Sequence, residues 1–73
     1  SVEQLAELNQ QLATMRHDIN NYLSLIVAAG DLVKQRPQTA ERMLATMAEQ
    51  PSKITKAMQN FSLHFESTFG ITR

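Results

Sequence analysis

An apolar seam runs through the first half of this chain: Leu5, Leu8, Leu12, Met15, Ile19, Tyr22, Ile26, Ala29 and Val33 follow one another at alternating spacings of three and four. That rhythm keeps one side of a helix apolar over its whole length, whereas a strand needs alternation at every second residue. No proline interrupts residues 1 to 36, and Glu, Gln, Leu and Ala dominate the opening, so a first helix over about residues 2–35 is predicted, roughly nine turns long. From Leu23 onward the apolar face widens to include Leu25, Val27, Ala28 and Leu32, broader than a two-stranded seam requires and suited to a bundle core.

Arg36-Pro37-Gln38-Thr39 is the one clear break, because proline disfavours a helical residue before it and Thr39 is a good N-cap for a helix starting at the next residue. The turn is placed at about 36–38. Beyond it, Leu44, Met47, Pro51, Ile54, Met58, Phe61 and Phe65 again fall at three-four spacing, with Phe69 closing the stripe and Gly70 a natural stop. These residues predict a second helix over about residues 39–69. Pro51 removes a helical hydrogen bond at a cost of roughly 3 kcal/mol. The stripe keeps phase across it, which favours one helix kinked near Pro51 over two separate helices. The expected fold is all-α, an antiparallel two-helix hairpin forming a single domain over residues 1–73. Such a hairpin cannot bury both of its faces, so two copies related by a two-fold axis are expected to close a homodimeric four-helix bundle.

Seven basic and seven acidic residues cancel, and no basic cluster occurs, so charge gives no footprint for nucleic acid or for an anionic membrane surface. Cysteine is absent, which removes disulfide frameworks and thiolate metal sites and suits a cytoplasmic setting. The apolar run from Leu23 to Gly30 is well short of the roughly 20 residues a membrane span needs. No membrane contact by this segment is expected. A start at Ser1 without methionine and an end just after Gly70 fit a piece of a longer protein, whose other parts could include a membrane anchor.

Setting Leu12, Ile19 and Ile26 as heptad position a places His17 at f, pointing away from the seam. Asp18 is its neighbour at g, Asn21 lies one turn on along the same exposed stripe, and Asn20 and Ser24 border it. A neutral exposed imidazole is a nucleophile. A carboxylate beside it can orient the ring and take the proton of the non-attacking nitrogen, which favours attack on an electrophile such as phosphorus. An amide one turn away can position a water for the reverse hydrolysis.

These residues, His17-Asp18-Ile19-Asn20-Asn21-Tyr22-Leu23 followed by Ser24-Leu25-Ile26-Val27-Ala28-Ala29-Gly30-Asp31-Leu32, resemble the H-box of the dimerisation and histidine-phosphotransfer domain of two-component sensor histidine kinases. The resemblance is carried by about residues 10–33; residues 34–70 match in outline, as a second helix of suitable length. It implies that His17 is the phosphoacceptor, that Asp18 assists phosphotransfer, and that Asn21 is the amide of an acidic-x-x-Asn phosphatase motif. It further implies a homodimer, a response-regulator receiver domain whose aspartate takes the phosphate, and an ATP-binding kinase domain acting in cis or in trans. Two departures bear on helix bending and phosphate contact: Tyr22 stands where the family often has proline, and Asn20 where it often has a basic residue.

With Gly30 and Gly70 as its only glycines, the chain lacks the glycine-rich boxes of such an ATP domain. No cofactor is therefore expected on this segment, ATP and Mg²⁺ being held by a separate domain. Neither histidine has a second ligand at three- or four-residue spacing, so no metal site is expected. His64, between Leu63 and Phe65, reads as a packing or rim residue, and the methionines and phenylalanines as core. By position, Lys56, Ala57 and Asn60 are the second-helix residues expected to flank His17. Two other functions fit the same residues: a non-catalytic dimerisation or adaptor hairpin, and a stand-alone histidine phosphotransfer protein.

Overall fold

The structure, a computed structural model, describes residues 1–70, so residues 71–73 of the expected domain lie outside the described residues. Two long helices joined by one tight turn account for nearly all of it, and no strand occurs among the described residues. Helix α1 spans Val2–Gln35. Its start is fixed by a capping box, in which the Gln4 amide donates to Ser1 Oγ at 3.2 Å and the Ser1 amino group donates back to Gln4 Oε1 at 2.9 Å.

Arg36 ends α1 with φ −136 and ψ 80, the extended conformation that the following proline enforces. One 3₁₀ turn over Pro37–Thr39 then leads into α2, Ala40–Phe69. Thr39 occupies the N-cap position, but its hydroxyl donates to the Arg36 carbonyl at 2.7 Å and accepts nothing from α2. The capping role expected of Thr39 is thus replaced by bracing of the turn. Helix α2 passes through Pro51 without a break and closes on Gly70, whose φ of 66 needs a residue without Cβ and whose N–H reaches the Glu66 and Ser67 carbonyls.

The helices pack side by side along one line. From α1 this line carries Leu8, Met15, Tyr22, Ala29 and Val33, and from α2 Met43, Met47, Gln50, Ile54, Ala57, Phe61 and His64. In α2 the contact line therefore departs from the apolar stripe read from the sequence. Met47, Ile54 and Phe61 belong to both, whereas Leu44, Met58, Phe65 and Phe69 stand exposed to one side. Among the described residues only Leu8, Ala29 and Gln50 are buried.

The outcome is a single layer of 53 × 23 × 10 Å, one helix thick. Its radius of gyration is 16.6 Å, against roughly 11 Å for a compact domain of this length. Its accessible surface is 5662 Å², against about 4,500 Å² for a folded monomer of this mass. Helical phase assigns the broad faces. Leu5, Leu12, Ile19 and Leu23 share one with Met47, Ile54, Met58 and Phe65; Gln11, Thr14, Asp18, Leu25 and Leu32 share the other with Ala57, Asn60 and His64. The first face is mainly apolar, with Arg16 and Ser62 at its margins, and the second is polar except towards the turn. Leu25 and Leu32, read from sequence as part of one widened core face with Leu23, thus lie on the opposite side of the layer from it.

Gly30 sits inside α1 with nothing within 4 Å of the place a Cβ would occupy. Gly30→Ala is expected to stabilise the fold by about 0.5–1 kcal/mol, because alanine removes backbone freedom from the unfolded chain and meets no clash. A thermal melt at fixed protein concentration checks this, and an unchanged or lowered midpoint would show that the space beside Gly30 is filled.

Candidate functional site

His17 lies on the outer side of α1, turned away from α2, because it falls about half a turn round the helix from the contact line. Its side chain is 85% exposed. Asp18, at the next position, sits on the shoulder of the helix with its side chain 48% exposed, and Oδ1 lies 3.9 Å from His17 Nδ1. That is an ion-pair distance for a protonated ring and too long for a hydrogen bond. A small rotation of either side chain is needed before Asp18 can take the Nδ1 proton, as is common in sites without substrate.

Asn21 is exposed one turn further along, and Asn20 is exposed on the other flank of His17. The Ser24 hydroxyl donates to the Asn20 main-chain carbonyl at 2.8 Å, and among the described residues neither asparagine side-chain amide makes a hydrogen bond. The chemistry available on this surface is a nucleophilic ring nitrogen at Nε2, a carboxylate on the side of the other nitrogen, and two uncommitted amides within one turn.

Asp18 also looks the other way. With Gln11, Thr14 and Met15 it forms the α1 wall of a groove of about 300 Å³, whose α2 wall is Ala57, Asn60, Phe61 and His64. Antiparallel register about the turn sets Asp18 level with Ala57 and Gln11 level with His64. Of the three α2 residues expected to flank His17, Ala57 and Asn60 line this groove and Lys56 does not. They meet Asp18, and His17 itself stays outside the groove. The groove holds a residue to which sequence reasoning gave no role: His64 Nε2 lies 3.6 Å from Glu7 Oε1 on α1. The signal that could have found it is the four-three-four spacing of Lys53, Ala57, Asn60 and His64, a stripe at seam periodicity in which three of the four residues are polar.

Among the described residues there is no cluster of three or more potential metal ligands. No helix among them is long and apolar enough to cross a membrane. No family model, curated protein or solved structure matches the chain. The functional reading therefore stands on the residues themselves.

The Glu7–His64 pair is half-exposed, and such pairs contribute little net stability. Glu7→Gln is expected to change the unfolding free energy by less than about 1 kcal/mol. A urea titration measures it; a substantially larger loss would make the pair a structural clamp at the open end of the hairpin.

Proposed function

We propose that this chain is the dimerisation and phosphoacceptor segment of a two-component sensor histidine kinase. It takes the γ-phosphoryl group of ATP on His17 and passes it to an aspartate of a response-regulator receiver domain. The observation that carries this reading is the isolation of His17: an imidazole almost fully in solvent, with a carboxylate on its Nδ1 side and free amides around it, on a helix whose opposite side is apolar.

In the forward step His17 Nε2 attacks phosphorus as the bond to the ADP oxygen breaks, and the proton left on Nδ1 passes to Asp18 or to water. Transfer onward exchanges the N–P bond for an acyl phosphate on the regulator. In the reverse sense Asn21 orients a water towards that acyl phosphate. ATP and Mg²⁺ belong to a kinase domain supplied in cis or in trans, since phosphoryl transfer needs Mg²⁺ and a bound nucleotide and this chain has no glycine-rich nucleotide box. The same reading places the segment in the cytoplasm, whether or not its parent is membrane-anchored.

The partner for the apolar face is a second copy. The surface excess over a compact monomer is about 1,100 Å², comparable to the roughly 800 Å² each partner buries in a standard interface. Covering it by two-fold symmetry gives a four-helix bundle with both His17 rings facing outward. On the other face, Leu25 and Leu32 stay 42% and 39% exposed, roughly two and four turns towards the hairpin turn from Asp18. This apolar surface suits a docked receiver domain.

Melting is accordingly expected to depend on protein concentration. Ile26→Asp places a charge among apolar residues at the edge of the contact line and should leave an unfolded or aggregating chain. A stable monomer of unchanged helicity would rule out the bundle.

The three polar residues should separate by role in the parent protein or with a kinase domain added. His17→Gln is expected to abolish phosphorylation with helicity and dimerisation intact. Asp18→Asn should slow uptake of phosphate, by up to about a hundredfold if its full worth as a proton acceptor is lost. Asn21→Ala should spare uptake and slow dephosphorylation of the regulator. If all three variants match the wild type in both assays, the adaptor reading takes over.

A further inference from the structure

Around Pro51 the helical hydrogen-bond ladder of α2 lacks one donor, and several side chains crowd the neighbouring carbonyls. Pro51 has no N–H, so the Met47 carbonyl loses its usual donor one turn on. Three side chains in the same stretch bond to main-chain carbonyls: the Thr46 hydroxyl to Arg42 at 3.1 Å, Gln50 Nε2 to Thr46 at 2.8 Å, and the Ser52 hydroxyl to Glu49 at 3.3 Å. Side chains that enter the ladder in this way are a recognised cause of helix bending.

Gln50 carries the largest burden. It is 1% exposed, in the middle of the line between the helices, and its Oε1 has no hydrogen-bond partner among the described residues. A buried amide with an unmet acceptor disfavours the packed state, and the same side chain in water would be fully satisfied. The packed arrangement of this turn is therefore held by its neighbours against the local preference of Gln50 and Pro51. Elsewhere the contact line is apolar on both helices or, at His64, half-exposed to water.

We infer that residues 46–54 of α2 form a conformational joint with two states. In one, Gln50 is packed against α1; in the other, it has turned out to solvent and α2 bends at Pro51. The functional side of this inference rests on the phosphoacceptor reading. Ala57, Asn60 and His64 lie beyond the joint, whereas Asp18 is on α1, so bending at Pro51 opens or closes the groove they share. The joint thereby regulates the surface beside His17 without moving any residue of α1.

Native-state hydrogen exchange on the 73-residue chain tests the joint without any phosphotransfer assay. Amides of residues 47–55 are expected to exchange faster than those of residues 57–66. Gln50→Leu, which fills the same line without an unmet acceptor, should slow exchange over 47–55 by about tenfold or more. Pro51→Ala, which restores the missing donor, should do the same. Uniform exchange along α2, or a Gln50→Leu chain with unchanged exchange over 47–55, overturns the joint. With the joint established, Gln50→Leu in the parent kinase should change the ratio of His17 phosphorylation to regulator dephosphorylation. An unchanged ratio would overturn the regulatory role, and an absence of His17 phosphorylation in the wild type would instead overturn the underlying reading.

Discussion

A layer one helix thick has no interior, and everything else in this molecule depends on that. Two helices in contact along a single line can bury one row of side chains each. Here, among the described residues, even that row buries only Leu8, Ala29 and Gln50. The seam of α1 supplies enough apolar surface for more than one neighbour, and Leu5, Leu12 and Leu23 remain exposed after α2 has taken its share. Hydrophobic burial is the main stabilising term in folding, and one copy of this hairpin achieves little of it, which is the physical basis for proposing a second copy.

The same constraint decides where chemistry can sit. If one broad face of the layer is covered by a partner, the positions that stay in water are the opposite face and the outer edges. His17 occupies the outer edge of α1, which leaves its ring accessible whichever broad face is covered. Substitutions there perturb little packing. Asp18 is the link between this edge and the polar face, since it borders both the imidazole and the groove against α2. A partner seated in that groove would therefore be felt at His17 through one carboxylate.

The hairpin was legible because its determinants are local. Heptad spacing over residues 5–33, Pro37 after an extended Arg36, and a left-handed Gly70 each act within a few residues, where sequence and structure are tightly coupled. The phase of α2 was not legible. Its apolar stripe and its contact line are offset by roughly 60° around the helix, so the apolar residues mark a direction between α1 and the broad face on which Met58 and Phe65 stand exposed. Gln50 and His64 lie on the side of the stripe that α1 takes, which is why polar residues fill contact positions while Met58 and Phe65 face outward. The exposure of His17 followed from its heptad position, yet the groove beside Asp18 did not, since it depends on register across the turn and on the small size of Ala57.

The offset in α2 also gives Pro51 its place. A proline ring in a helix interior must avoid the preceding turn, and it does so at least cost on the side that does not face the neighbouring helix. Pro51 lies on the outward part of the stripe, so its ring does not obstruct α1. Gln50, one residue earlier, then falls on the contact line, where a fully apolar side chain would have locked the two helices together. The pairing of a proline that weakens the ladder with an amide that weakens the packing puts both weaknesses at one level of the hairpin. Helix α2 can stay continuous in sequence and helicity through that level, and its two halves still need not move as one rigid rod.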